Sequence, residues 1–210
     1  MEQFLNKLKI RLQGNLPGTQ VQYQMAPVGR RVQELHMQAN IRYRPSAVLI
    51  VLCRDAHGEL FIPLIERHAY KGVHSGQVSL PGGKYEEQDI NLENTALREC
   101  REEIGLSGLE LLGGLTELLI PVSGFKVQPF VAHCRQINPT LVGQEREVKS
   151  LLNLYLNDLL NDSIQKVGPV SLPDNSQIRA PYFELNNYKI WGATAMILRE
   201  LKEVTKLIAS

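Results

Sequence analysis

Three glutamates, Glu99, Glu102 and Glu103, stand at i, i+3 and i+4 in the segment Arg98-Glu99-Cys100-Arg101-Glu102-Glu103-Ile104-Gly105-Leu106. On a helix this spacing gathers them on one face roughly 100° wide. Like charges placed so closely repel by roughly a few tenths of a kcal/mol per pair, and a cation between them reverses the penalty. Carboxylate oxygens are hard ligands, suited to Mg²⁺ or Mn²⁺, with the remaining coordination positions left to water and phosphate oxygens. Taken alone, such a trio is equally the pattern of a solvated acidic face. The longer string is rarer: at an average usage of roughly 6% per charged residue, Arg-Glu-x-x-Glu-Glu-x-Gly is expected about once in 10⁶ positions. Leu97, Cys100 and Ile104 fall on the other side, where they would hold the helix on a sheet.

The elements around this helix can be read from pattern. Asp89 or Asn91 can cap it, and Gly105 ends it as a C′ glycine. Upstream, the run from Arg44 to Asp55 reads as a buried strand, and Glu59 to Arg67 as its hairpin partner across His57-Gly58. Residues 68–76 form a polar loop, and Gln77 to Leu80 a short strand ending at Pro81-Gly82-Gly83. Downstream, Leu109 to Ile120 and Lys126 to Arg135 read as strands, while Leu151 to Leu160 fits strand or helix equally. Short strands are expected around 165–167, 182–185 and 189–191, and a final helix over 193–207. Strands, a central helix, more strands and a last helix make a mixed α/β domain. The division is an N-terminal helix and irregular arm over residues 1–31 and the main domain over 32–210. The apolar face at residues 4–12 offers a surface for packing in trans, which allows a homodimer.

Composition narrows the classes of function. The 210 residues carry 23 Lys+Arg against 22 Asp+Glu, a formal charge of +1, so no basic excess marks a nucleic-acid or anionic-lipid binder. The longest apolar run, Ala47 to Cys53, is far below the roughly 20 residues needed to cross a bilayer. The N-terminus breaks its apolar positions with Asn6, Lys7, Lys9 and Arg11, unlike a signal-peptide core. Cys53, Cys100 and Cys134 are too few and too widely spaced for a disulfide framework or a thiolate zinc site, and none is read as a nucleophile. A reduced, cytoplasmic protein is the expectation. His133 in an apolar strand and the single Trp191 read as packing residues.

The segment Gly83 to Leu106, GKYEEQDINLENTALRECREEIGL, resembles the Nudix box, Gly-x5-Glu-x7-Arg-Glu-U-x-Glu-Glu-x-Gly-U with U apolar. Arg98 to Leu106 match throughout, with Cys100 as the apolar residue. Asp89 replaces the first Glu of the pattern, and one extra residue separates it from Arg98. Both departures are similar to the branch that hydrolyses coenzyme A. That branch also carries an upstream signature, which this chain resembles through Arg67, Gly76 and Pro81-Gly82-Gly83. It departs from the signature at His68, Lys71 and Leu80. The stretches from Ile120 to Phe130 and from Ile190 to Ala195 look like the same branch.

The resemblance implies a Nudix fold, an α/β/α sandwich around a mixed sheet, and hydrolysis of a diphosphate by water attack at phosphorus. A diphosphate is polyanionic, so a bound cation that neutralises phosphate oxygens and acidifies water meets the main obstacle. By resemblance, Glu99, Glu102 and Glu103 are metal ligands, with the Gly83 carbonyl as a further one, and Asp89 pairs with Arg98. Glu147, favoured over Glu145, is the outlying carboxylate that binds metal or activates water; Glu102 or Glu103 could equally serve as the base. Arg67, Lys71 and His74 suit the phosphates of coenzyme A, and Lys84 reads either as a phosphate contact or as an exposed loop lysine. The implied products are 3′,5′-ADP and (acyl-)4′-phosphopantetheine. Rival readings are a hydrolase of ADP-ribose, NADH or a dinucleotide, and a Nudix-like module that binds such a ligand without cutting it.

Overall fold

The segment Arg44–Arg54 is apolar at most of its positions, and it forms β1, which runs through the middle of the sheet and is buried on both faces from Ala47 onward. In this computed structural model, which describes residues 1–27, 42–68, 77–172, 174 and 176–209, β1 pairs in parallel with β7 (Phe125–Ile137). A parallel pair needs a crossover, and the carboxylate helix α3 (Leu92–Ile104) lies on it. Antiparallel partners complete a mixed sheet of eight strands. They are β2 (Leu60–Arg67), β3 (Val78–Ser79), β4 (Gly82–Lys84), β5 (Glu110–Gly114), β6 (Leu118–Ile120) and β8 (Val148–Tyr155). The main path runs β3-β2-β1-β7-β5, with β4 on β1, β6 on β7 and β8 on β2.

Alternation along the strands separates two apolar layers. Ala47, Leu49, Val51 and Cys53 of β1 meet Ala96, Cys100 and Ile104 of α3 on one face. Ile50 and Leu52 face the other way, toward Leu8 and Leu12 of α1 (Glu2–Leu12) and the apolar stripe Ala195–Leu198, Leu201 and Val204 of the last helix. That last helix, Gly192–Ala209, is α5; the short α2 (Thr19–Gln22) and α4 (Leu156–Leu160) precede it in the chain. One helix on one face and two on the other give an α/β/α sandwich. A separate three-stranded sheet of β9 (Gln165–Ser171), β10 (Gln177–Leu185) and β11 (Tyr188–Trp191) packs a small core of Val170, Ala180 and Tyr182, with half-buried Trp191 against it.

The N-terminal segment is woven into this core. Leu8 and Met25 are fully buried, and a Cβ on Gly113 would stand 2.8 Å from Leu12 Cβ, so only glycine lets α1 rest so closely on β5. The fully buried Glu200 carboxylate of α5 accepts hydrogen bonds from Gly18 N (3.0 Å), Gln22 Nε2 (2.8 Å), Thr116 N (3.1 Å) and Thr116 Oγ1 (2.6 Å). Four donors thus satisfy a carboxylate that has no salt bridge among the described residues. The apolar face of α1 is used within its own chain; the large apolar residue of that helix left exposed is Ile10.

Several elements differ from the sequence expectation. The hairpin of β1 and β2 keeps only the pairs Cys53–Phe61 and Arg54–Leu60, after which β4 takes the place of β2 beside β1. Pro-Gly-Gly therefore begins a strand where a strand end was expected. The expected strand over 109–120 breaks into β5 and β6, and 151–160 is both strand and helix, β8 running into α4. None of the helices described is long and apolar enough to cross a membrane.

Candidate active site

Helix α3 starts at Asn91, whose side chain accepts a hydrogen bond from Asn94 N, and ends at Gly105 in the left-handed region (φ 76°). Of the two expected caps, Asn91 is the one used, and Asp89 has another task. Its carboxylate accepts from Arg98 Nε and Nη2, both at 2.9 Å, from Thr95 Oγ1 at 2.9 Å and from Glu86 N at 3.1 Å. The Arg98 hydrogen bonds, aided by those of Glu86 and Thr95, hold the Asp89 carboxyl well below the usual carboxylate range. A folded-state pKa below the unfolded one means that this stabilisation is present above the unfolded value and is lost as pH falls through the folded one. The melting-temperature gap between the wild type and Asp89→Asn should therefore stay level above about pH 5 and narrow below about pH 4. A gap unchanged down to about pH 2 would contradict it.

The three helix glutamates share a face but not an environment. Side-chain exposure is 46% for Glu102, 14% for Glu99 and 2% for Glu103. Arg98 Nη1 donates to Glu99 Oε1 (2.8 Å) and Glu102 Oε2 (3.2 Å), while Arg98 Nη2 donates to the Lys84 carbonyl. Burial pushes the Glu99 carboxyl up, and the neighbouring charges of Glu102 and Glu147 add to the shift. Glu103 accepts from Gly82 N at 2.8 Å, and burial drives its carboxyl up to about 7 against the opposing pull of Arg67 and Gly82 N.

The two glycines before the helix are required by close approach. A Cβ at Gly82 would lie 2.4 Å from the Ala47 carbonyl oxygen, and one at Gly83 would lie 2.3 Å from Glu99 Oε1. The strand β4 is thus clamped between β1 and the carboxylates. Gly83→Ala is expected to displace the Glu99 carboxylate and lower kcat about 10- to 100-fold, with KM and melting temperature nearly unchanged. Paired kinetics and melting curves check this; an unaltered kcat would show that Glu99 need not be held there.

Arg67, at the end of β2, is turned inward. Its Nη2 lies 2.8 Å from Glu103 Oε1 and donates to the Gly82 carbonyl at 3.2 Å; its Nε donates to Ser79 Oγ at 3.1 Å. Its Nη1 stands 3.8 Å from Glu147 Oε2. The sequence expectation placed Arg67 on substrate phosphate; in the structure its guanidinium is the counter-charge of two carboxylates. Glu147 is half exposed and sits on a turn fixed to the end of α3, where Val142 N donates to the Ile104 carbonyl and Gln144 N to that of Glu103. Lys84 is exposed beside Gly83. Lys71 and His74 lie outside the described residues. Glu66, Ser79 and the amide of Gly82 were not singled out in the sequence; only the Pro-Gly-Gly run hinted at a close backbone approach.

Glu99, Glu102, Glu103 and Glu147 offer hard oxygens only, and Glu103 Oε1, though beside Arg67, makes no hydrogen bond. Burial raises both the Glu99 and Glu103 carboxyls, and neighbouring charges add to it, those of Glu102 and Glu147 at Glu99 and those of Glu99 and Glu147 at Glu103. Such a set fits a divalent hard cation better than a soft one. Among the described residues no trio of side chains is already drawn around one point, as Arg98 holds Glu99 and Glu102 while Arg67 holds Glu103. All three cysteines lie buried in the layer between α3 and the sheet, with burial pushing the Cys100 thiol up to about 12.

A carboxylate helix thus crosses over a mixed sheet and holds its hard oxygens against a glycine strand. The NUDIX domain model matches residues 43–155, over half of the chain. A Citrobacter koseri protein described as "Uncharacterized Nudix hydrolase NudL" is 34% identical over 181 residues, covering 81% of this chain and 89% of its own. One of the same description from Yersinia enterocolitica is 36% identical over 167 residues, covering 75% and 80%. The chain belongs to the Nudix family, hydrolases that act on diphosphate bonds. Among solved structures, the Mycobacterium smegmatis (M. Smegmatis) Nudix hydrolase RenU shares the fold at a TM-score of 0.52 and 18% identity, covering 79% of this chain and 87% of that one. A MutT/nudix family protein of Enterococcus faecalis does so at 0.50 and 15%, covering 90% and 73%. Nudix hydrolases generally use Mg²⁺ or Mn²⁺ and take small substrates with a nucleoside-linked diphosphate.

Proposed function

We propose that this chain hydrolyses the diphosphate of coenzyme A or an acyl derivative, releasing 3′,5′-ADP and (acyl-)4′-phosphopantetheine in a Mg²⁺-dependent reaction. The observation that carries the proposal is the way the glycine strand and Arg67 link the carboxylates: Gly82 N donates to Glu103, Gly83 leaves room for Glu99, and Arg67 is the only cation within 4 Å of both Glu103 and Glu147 among the described residues. The coenzyme A assignment rests on the sequence resemblance through Arg67 and Pro81-Gly82-Gly83 and on the lengthened box with Asp89.

Glu99, Glu102 and Glu103, with the Gly83 carbonyl, are the proposed ligands of Mg²⁺ or Mn²⁺. Bound there, the metal supplies charge neutralisation at phosphate and a more acidic water. The chain supplies the rest. Glu147, exposed at the rim, can take a proton from water, and Glu102 or Glu103 are the alternatives. Arg98 keeps Glu99 and Glu102 in place from the side of Asp89, and Arg67 steadies the charge of Glu103. Lys84, exposed at the surface beside Gly83, is the proposed phosphate contact, and Lys71, outside the described residues, is a second. We read residues 1–31 as an extension of the Nudix domain at 32–210, and the protein as cytoplasmic.

The test is a panel of coenzyme A, acetyl-coenzyme A, ADP-ribose, NADH and a diadenosine polyphosphate with Mg²⁺, with products identified by mass. Preferential release of 3′,5′-ADP supports the proposal. Preferential cleavage of ADP-ribose, NADH or the dinucleotide would discard coenzyme A and keep the diphosphatase. Binding without cleavage would make the chain a ligand-binding module.

A further inference from the structure

Three consecutive residues at the end of β2 reach the segment that carries Glu147. Strand alternation sends Glu66 to the face opposite Arg67. The Glu66 carboxylate accepts from Lys149 Nζ (2.7 Å), Ser150 Oγ (2.7 Å) and, from β11, Tyr188 OH (3.2 Å). Arg67 faces Glu147 itself. His68 N donates to the Glu147 carbonyl at 3.4 Å, and His68 Nε2 lies 3.0 Å from the Glu145 carbonyl. A carbonyl oxygen only accepts, so the ring presents Nε2–H to it.

The ladder between the two strands is interrupted just before it reaches this segment. The pairing runs Glu66–Ser150 and then Arg67–Val148, so Lys149 is an extra residue on β8 and the register breaks just before Glu147. Beyond the break, the turn at 144–147 is tied on one side to the end of α3 through Gln144 N. On the other side, among the described residues, the resumed pair Arg67–Val148 with its buried valine anchors the end of the turn, and the side chains and one amide of residues 66–68 reach beyond it.

We propose that Glu66, Arg67 and His68 form a clasp that positions Glu147, with His68 as its separable part. This rests on the reading of Glu147 as a metal-binding or water-activating carboxylate. His68 is an exposed residue that reaches a backbone carbonyl, so its removal opens no cavity in the core and acts through the placement of the turn.

The experiment compares His68→Ala, His68→Asn and His68→Gln in the full chain. Gln carries a donor nitrogen as many bonds from Cα as His Nε2; the Asn amide stops one bond short. His68→Ala and His68→Asn are expected to lower kcat about tenfold on the best panel substrate, with KM within about twofold. Both should also raise deuterium uptake of the 142–150 peptide, and His68→Gln should recover both losses. In a Glu147→Ala background, His68→Ala should lower kcat no further. Unchanged uptake in His68→Ala, a His68→Gln as impaired as His68→Ala, or an additive loss beside Glu147→Ala would overturn the clasp. If the wild type cleaves no diphosphate, the reading of Glu147 fails, and the clasp is then decided by deuterium uptake alone.

Discussion

Glu103→Gln is expected to lower turnover about 10³-fold, the scale of a lost catalytic carboxylate or of metal charge stabilisation. The fold should survive it. Gln keeps the volume of a side chain that is almost wholly buried and its carbonyl can still accept from Gly82 N, although its amide nitrogen then faces Arg67 Nη2 and the ion pair is lost. Burial already pushes the Glu103 carboxyl up to about 7, so an uncharged amide removes a charge that burial disfavours. Arg67 keeps Ser79, the Gly82 carbonyl and Glu147 as partners. The melting temperature should therefore fall by no more than about 8 °C, equivalent to roughly 2 kcal/mol in a chain of this size. Unchanged turnover would remove Glu103 from the metal set. A collapse in melting temperature would instead make it a structural residue.

Arg98→Ala should have the largest effect on stability, about 3–5 kcal/mol, because it leaves the buried Asp89 carboxylate without its counter-charge. That corresponds to a fall in melting temperature on the order of 10 °C. Thr95 and Glu86 N remain as donors to Asp89, but neither carries charge. Glu99 and Glu102 lose the Nη1 that ties them together, so the repulsion among the helix carboxylates also rises. Urea unfolding of Arg98→Ala, Asp89→Asn and the double variant checks both parts. The double variant should be more stable than the sum of the single losses allows, since removing both partners leaves no orphaned charge. A single-variant loss below about 1 kcal/mol would show the pair to be no stronger than a surface salt bridge.

Much of this was legible in the sequence where one periodicity ruled a whole element. The strand at Arg44, the helix between Asn91 and Gly105 and the helix at the C-terminus each follow one apolar pattern. Reading failed where long-range partners decide the outcome. Gly82–Lys84 is a strand only because β1 offers it an edge after β2 has diverged. Leu115–Glu117 breaks a strand because Thr116 turns its amide and hydroxyl to Glu200, a residue far along the chain. In the site, helical spacing put Glu99, Glu102 and Glu103 together but could not rank their burial, which depends on how α3 rolls on the sheet. Nor could it show Arg67 facing Glu103, since the two meet through separate elements. The clustering of Cys53, Cys100 and Cys134 was invisible for the same reason.

The central claim, attack of water on a diphosphate at the carboxylate helix with a divalent metal, is tested most directly in ¹⁸O-labelled water. The best substrate of the panel is turned over with Mg²⁺ and, separately, with a chelator. The expected result is one ¹⁸O in a single phosphate-bearing product with Mg²⁺ and essentially no turnover with the chelator. Unlabelled products, or equal turnover in the chelator, would contradict it.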